Sequence, residues 1–119
     1  NSFIGYVGLS KIDFEAAFTG STEIGWTLRH DNWGKGYATE MAGALIDHAF
    51  AVLELAEVIA FTVPINARSR RVMEKLGMNH EEDEGFEHPM VPEGHPYRFQ
   101  VLYRKRRTAS GVPVTKTAA

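Results

Sequence analysis

The chain of 119 residues contains no cysteine. Disulfide bonds, thiolate metal sites and a cysteine nucleophile are therefore excluded. It also lacks an apolar run of membrane-spanning length and a visible signal peptide, so we expect no membrane partner and a cytoplasmic location. The net charge of −2 gives no basis for nucleic-acid binding, because proteins that bind nucleic acid carry an excess of positive charge.

Charged clusters are few in this sequence. The one basic cluster is the run 104–107, Arg-Lys-Arg-Arg, which we interpret as a solvated strand end because no aromatic residues interleave with it. His80, His88 and His95 lie among glutamates and are metal-ligand types, but they show no compact ligand spacing, so no metal site is predicted.

Hydrophobic periodicity predicts a mixed α/β sheet. Strands are predicted at 3–9, 23–28, 58–63 and 99–103, the first two antiparallel and the third buried on both faces. Helices are predicted at 36–55 and 68–76, with Gly77 as the stop of the second. The apolar face of the first helix is predicted to comprise Ala38, Met41, Ala42, Leu45, Ala49, Val52 and Leu53.

Length and composition predict one domain over residues 1–107 and a disordered tail of small residues over 108–119. The acidic, proline-containing segment 81–97 is predicted to be a long ordered loop.

The segment from Trp33 to Glu40 joins a predicted strand to a predicted helix. Glycines at such a turn let the backbone approach a ligand, and the free N–H groups and dipole of the helix start attract an anion. Lys35 is followed by Gly36 rather than Ser or Thr, and Thr39 stands where a dinucleotide fingerprint needs Gly or Ala, so neither phosphate motif fits. The spacing alone favours a helix start without a ligand.

A second segment changes this balance. Residues 66–78 read Asn-Ala-Arg-Ser-Arg-Arg-Val-Met-Glu-Lys-Leu-Gly-Met. Together with Trp33-Gly34-Lys35-Gly36-Tyr37-Ala38, this segment resembles the GNAT superfamily of acyl-CoA-dependent N-acyltransferases, and in particular the branch named for ribosomal-protein N-terminal acetyltransferases. The resemblance extends from about residue 3 to about residue 104, and it says little about the acceptor.

The resemblance implies acetyl-CoA as co-substrate, held mainly by backbone amides. The implied pyrophosphate loop comprises Trp33, Gly34, Lys35, Gly36, Tyr37, Ala38 and Thr39. The backbone of the preceding strand would pair with the pantetheine arm through Trp26, Thr27 and Leu28. Lys35 could pair with a phosphate or be a solvated lysine.

The second segment supplies further implied cofactor contacts. Asn66 would bridge the pantetheine and the strand end, or cap the helix that follows, or both. Ser69 would donate a proton to the thiolate, or be only a helix-start hydroxyl. Arg70 would reach the phosphates, or be a solvated helix arginine. Met73 stands where the wider superfamily has a proton-donating tyrosine, which leaves Ser69, Tyr103 or water as the general acid.

Glu23 is the candidate general base. It shares a strand face with Gly25 and Thr27, opposite Ile24 and Trp26. A carboxylate on a middle strand is costly unless it is paired or functional. Relatives carry a glutamate there, and an ion pair with an arginine is the alternative.

A complete GNAT domain begins with a strand, two helices and a further strand before the segment that corresponds to Phe3. We therefore expect an N-terminally incomplete GNAT fold with an unpaired strand edge, which favours self-association into a homo-oligomer or completion by another segment. Two functions follow. One is an acetyl-CoA-dependent N-acetyltransferase acting on a small-molecule or peptide primary amine; the other is a truncated module that binds acyl-CoA or a partner protein without turnover.

Overall fold

The computed structural model describes residues 5–28 and 36–107. In chain order these form the elements β1 (Gly5–Lys11), β2 (Thr22–Leu28), α1 (Tyr37–Ala51), β3 (Glu57–Thr62), α2 (Ala67–Lys75), β4 (Asn79–Glu87) and β5 (Phe99–Arg106). Residues 3–4 of the first predicted strand and the predicted tail 108–119 lie outside the described ranges. Neither described helix is long and apolar enough to span a bilayer.

The five strands form one mixed sheet in the order β1-β2-β3-β5-β4. As predicted, β1 and β2 are antiparallel, with a register that runs from Gly5 opposite Leu28 to Lys11 opposite Thr22. The β2–β3 pair is parallel and has a single registered pair, Glu23 with Ile59. Because this pair lies near the start of both strands, the two strands separate toward their carboxyl ends. The sheet therefore has an opening at its centre.

Both helices cover the same face of the sheet. Ala42, Ile46 and Phe50 of α1 and Met73 of α2 pack with inward-facing strand residues in one buried cluster. Val58 and Ala60 of β3 belong to this cluster, whereas Ile59 belongs to a second cluster on the other face. The prediction that the third strand is buried on both faces is therefore confirmed.

The opposite face of the sheet is covered by the loop 12–21. Phe14 and Phe18 of this loop pack over β3 and β5. Their rings meet Phe61 and Phe86 in edge-on, stacked and tilted arrangements with centroids 4.9–6.3 Å apart. Aromatic pairs at such distances stabilise the fold beyond their buried area. This loop thereby closes the second core without a helix.

The first helix is shorter than predicted. It ends at Ala51 rather than near residue 55, and Val52 and Leu53 are 63% and 49% exposed instead of lying on the buried face. Glu54 adopts a left-handed conformation (φ 55°) as the chain turns toward β3. Since the apolar pattern continues past Ala51 to Leu53, the predicted helix is longer than the observed one. Ile46 and Phe50 are buried instead.

The prediction of one long loop over 81–97 is wrong. Its first half belongs to β4, which pairs antiparallel with β5 and contains an irregularity between Glu81 and Phe86. This strand is rich in glutamate and poor in β-branched residues, so its composition resembled that of a loop. Charged side chains suit an edge strand because they discourage pairing with other chains.

The basic run at the end of β5 is not simply solvated, which corrects the sequence interpretation. The Arg104 side chain is only 11% exposed and donates hydrogen bonds to Glu57 (2.5 Å) and Glu84. Burial acts to lower the pKa of Arg104, but the two carboxylates outweigh burial and raise it. The Lys105 ammonium donates to the carbonyl of Leu76 at the end of α2. These contacts join three strands and a helix.

We predict that Arg104→Met destabilises the fold by about 2 kcal/mol, because partly buried carboxylates lose their counter-ion. Arg106→Met is the matched control, since this neighbouring side chain is 58% exposed and lies 3.5 Å from Glu57. It should cost below about 1 kcal/mol. Urea unfolding at pH 7 measures both, and equal losses would contradict the role given to Arg104.

Candidate functional site

Several of the site residues predicted from the sequence lie around the opening between β2 and β3. The ends of β2 and β3 border it, and α1 and α2 begin close to those ends in the chain. Of the implied loop, Trp33, Gly34 and Lys35 lie outside the described residues, and for Thr27 and Leu28 only the backbone is described. The remaining predicted residues can be placed individually.

The start of α1 has backbone donors that no carbonyl of the helix accepts from. Gly36 is the N-cap, has φ 78°, and no side chain caps the helix there. Its carbonyl accepts from the amide of Glu40 at 2.9 Å, so the first intrahelical bond begins only at Glu40. The amides of Tyr37, Ala38 and Thr39 therefore have no intrahelical acceptor.

Apart from Gly36 and its two chain neighbours, no atom of the described residues lies within 4 Å of the position that a Cβ would take at Gly36. The open space and the aligned amides fit a phosphate or pyrophosphate group.

The start of α2 is held by Asn66. Its Oδ1 accepts from the amide of Ser69 at 3.1 Å, and its Nδ2 donates to Thr62 Oγ1 at 3.1 Å. The N-cap interpretation of Asn66 is thus confirmed, and the contact to Thr62 ties the cap to the end of β3. A role toward a cofactor stays a prediction.

Ser69 contacts β2 across the opening. The Trp26 indole N–H donates to Ser69 Oγ at 3.3 Å. The two residues are 43 positions apart in the sequence, and no local pattern indicated this pair. The bond joins the helix-covered face of β2 to the first turn of α2.

Arg70 is engaged with protein groups. Its Nε donates to the Tyr103 hydroxyl at 3.0 Å and its Nη1 donates to the carbonyl of Pro64 at 3.0 Å. The Tyr103 ring is buried and stacks on His80 with centroids 4.9 Å apart. Arg70 therefore anchors α2 to β5 and to the chain after β3, a role the sequence did not indicate. Its contact with phosphates stays a prediction.

Glu23 lies on the face of β2 opposite Trp26. Its carboxylate is half-buried, and burial raises its pKa above the ordinary value. Within residues 5–28 and 36–107, no side chain forms an ion pair or hydrogen bond with it. A Cβ at Gly25 would lie 3.6 Å from Glu23 Oε2, so the carboxylate extends over Gly25, toward the opening.

The alternative of an ion pair with arginine thus finds no partner in the described part of the chain. A half-buried carboxylate without a counter-ion is costly, and such groups cluster at functional sites.

The loop 88–98 borders the aromatic cluster. His88 Nδ1 accepts from the amide of Met90 at 3.1 Å, and its ring lies 4.5 Å from that of Phe14. Burial and the nearby Arg98 lower the pKa of His88. No group of three or more possible ligands in the described residues could hold a metal ion.

A cavity of 280 Å³ lies between the loop 12–21 and β4. Besides small residues and Phe18 and Phe86, its lining contains the carboxylates of Glu15, Asp83, Glu84 and Glu87.

The raised pKa of Glu23 has a consequence for stability. The folded state holds the proton of this carboxyl more tightly than the unfolded chain does, so ionisation costs stability as the pH rises above 4.5. We predict that Glu23→Gln is more stable than the parent at pH 7, and that this difference shrinks as the pH falls through the raised pKa of folded Glu23 and has nearly vanished below 4.5. Thermal unfolding at pH 4 and pH 7 measures this, and a less stable variant at pH 7 would contradict it.

Comparisons with known proteins agree on the family. The profile described as "Acetyltransferase (GNAT) domain" matches residues 1–79. The Bacillus subtilis protein named "Uncharacterized N-acetyltransferase YnaD" is 37% identical over 81 residues, which are 68% of this chain and 46% of that protein. The "FsC-acetyl coenzyme A-N(2)-transacetylase" of Aspergillus fumigatus is 45% identical over 64 residues, which are 54% of this chain and 27% of that enzyme.

Solved structures have the same fold. The ribosomal-protein-S5-alanine acetyltransferase of Vibrio fischeri superposes with a TM-score of 0.71 at 25% identity, covering 87% of this chain and 54% of that one. The chain thus spans about half, or less, of the length of these relatives. The mixed α/β fold predicted from the sequence is confirmed, and the chain belongs to the GNAT family.

Proposed function

We propose that this chain is an N-acetyltransferase that moves an acetyl group from acetyl-CoA to a primary amine by direct attack. The observation that carries this proposal is the opening between β2 and β3. The Glu23 carboxylate, which has no ion-pair partner among the described residues, lies on one face of the sheet there, and Ser69 lies on the other. In this arrangement Glu23 can act on the attacking amine and Ser69 on the leaving sulfur, from opposite sides of the thioester carbon.

The acyl donor would bind along the opening. The free amides of residues 37–39 suit a pyrophosphate, and the backbone of residues 26–28 is available to pair with the pantetheine arm because β2 and β3 separate there. Acetyl-CoA as the donor is further supported by the name of the Aspergillus relative. The thioester supplies an activated acetyl group; the protein supplies binding, orientation and proton transfer.

Glu23 would act as the general base. An amine is protonated at neutral pH and cannot attack until it loses a proton. Glu23 accepts that proton directly or through water, and its raised pKa brings the carboxylate closer to the working pH. As the new C–N bond forms, the C–S bond breaks.

Ser69 would assist the departing sulfur. A serine hydroxyl is a weaker acid than a thiol, so it acts chiefly by donating a hydrogen bond to the sulfur as negative charge grows there. Solvent then supplies the proton that neutralises the thiolate. Ser69 Oγ accepts from Trp26 and donates to no protein group in the described ranges, so its own hydrogen is available for this bond.

The acceptor class is open among protein N-termini, polyamines, amino acids and aminoglycoside-like drugs. The Vibrio fischeri neighbour is named for a ribosomal-protein alanine, which makes a peptide with a free N-terminal alanine the first probe. The cavity beside the loop 12–21 is lined by Glu15 and Asp83, and by Glu84 and Glu87, which are paired with Arg104 and Arg98. This acidic lining suits a cationic amine better than an anionic one.

A second candidate is a module that binds acyl-CoA without turnover. The outer edge of β1 has no partner strand among the described residues, and an open sheet edge is a surface for pairing with another chain. A second copy, or another segment, would pair with this edge. The solution mass distinguishes an oligomer from a monomer, and acetyl-CoA binding without acetylation of any amine would favour the module.

We predict that Glu23→Gln lowers kcat by about 10² to 10⁴, because the variant cannot accept the amine proton. Binding of acetyl-CoA, measured by calorimetry, should be unchanged. The assay follows thiol release with a panel of an alanine-terminated peptide, spermidine, lysine and kanamycin. A variant with the parent's rate on an accepted amine would remove Glu23 from the mechanism.

Substitutions at the N-cap glycine and at an internal glycine of α1 distinguish an effect on acetyl-CoA binding from an effect on stability. We predict that Gly36→Ala costs about 1 kcal/mol, because an L-residue is strained at φ 78°, and that it weakens acetyl-CoA binding. Gly43→Ala is the control. Gly43 lies inside α1, and a Cβ there would make an ordinary 3.7 Å contact with Cδ2 of Leu76 at the end of α2.

Gly43→Ala should therefore stabilise the protein by up to about 1 kcal/mol and leave binding unchanged. Urea unfolding and calorimetric titration measure both variants. Unchanged acetyl-CoA affinity in Gly36→Ala would argue against this helix start as the pyrophosphate site.

A further inference from the structure

The Trp26 side chain has a polar contact that its packing does not require. Its ring is partly buried against the main core cluster on the helix-covered face of the sheet, as expected of a large aromatic residue. Its indole N–H nevertheless reaches Ser69 Oγ, at 3.3 Å, rather than solvent. Ser69 is the residue that the proposed function assigns to the leaving sulfur.

The contact determines what the Ser69 hydroxyl can still do. A hydroxyl has one hydrogen to donate and two lone pairs to accept with. Trp26 takes one lone pair, and an indole N–H is only a donor, so the hydroxyl hydrogen cannot be directed at Trp26. The Ser69 amide is bound to Asn66 Oδ1 at 3.1 Å, which fixes the backbone from which the hydroxyl projects.

The accepted bond also changes the hydroxyl chemically. A donor on Oγ stabilises any negative charge that builds there and makes the O–H a stronger donor to the next acceptor in the chain. A bond running from Trp26 to Ser69 to the sulfur therefore increases in strength as the thiolate develops.

We infer that Trp26 is a positioning residue, whose indole N–H orients and polarises the Ser69 hydroxyl toward the leaving thiolate. This rests on the proposed function, and it adds a side-chain role to a residue that the sequence indicated only for its backbone. Trp26 itself touches Ser69 and acts through it.

A double-mutant cycle tests the inference. It compares four proteins, namely the parent chain, Trp26→Phe, Ser69→Ala and the double variant, in assays with acetyl-CoA and an amine that the parent acetylates. Trp26→Phe should lower kcat about three- to tenfold, the value of one hydrogen bond, with KM for acetyl-CoA within about twofold. In the Ser69→Ala background the same change should have no further effect.

Val7→Ala controls for lost packing. Val7 pairs with Trp26 on the neighbouring strand and packs against the same cluster, but its removal keeps the indole N–H. This variant should be less stable and retain the parent kcat. If Trp26→Phe lowers kcat equally in both backgrounds, or leaves kcat unchanged, the positioning role is wrong.

The hydrogen bond can be observed without turnover. The chain has two tryptophans, so Trp26→Phe assigns the Trp26 indole resonance by its absence from the ¹H–¹⁵N spectrum. Ser69→Ala should move that resonance upfield, and an unmoved resonance would overturn the inference. A parent that binds acetyl-CoA but acetylates none of the four amines overturns the proposed function, and the catalytic role of Trp26 with it.

Discussion

The structure depends on one parallel strand pair that is joined at a single register position, Glu23 opposite Ile59. Beyond that pair the strands separate, which leaves backbone groups of β2 and β3 without each other as partners. A buried sheet does not leave such groups unpaired without a cost. The side chains of Trp26, Ser69 and Asn66 form hydrogen bonds at the ends of these strands, where we propose that a ligand meets those groups.

The two residues proposed to take part in the reaction lie on opposite faces of the sheet. On the helix-covered face, Asn66 and Trp26 hold the first turn of α2 and the Ser69 hydroxyl through bonds of 3.1 and 3.3 Å. The other face holds the aromatic cluster and the half-buried Glu23, whose carboxylate has no ion-pair partner among residues 5–28 and 36–107. In the proposed mechanism, this separation keeps the carboxylate that removes a proton from nitrogen apart from the hydroxyl that donates a hydrogen bond to sulfur.

The sequence predicted the elements whose signal is local. The apolar run of β3 and the start and stop of α2 follow from composition and capping, and the structure has them close to the predicted bounds. Contacts between distant segments were not predictable: Arg104 with Glu57 and Glu84, Arg70 with Tyr103, and Trp26 with Ser69 each join residues 20 or more positions apart. The acidic strand β4 looked like a loop because it is rich in glutamate, and the sequence did not show that Arg104 of β5 pairs with Glu81 and Glu84.

The central claim is that the opening between β2 and β3 is the acyl-CoA site, and backbone amide chemical-shift mapping with CoA tests it most directly. The account predicts the largest shifts at residues 26–28, at 36–39 and at 66–70, saturating together with one dissociation constant. Shifts confined to other parts of the sheet, or no saturable shifts from a folded chain, would contradict it.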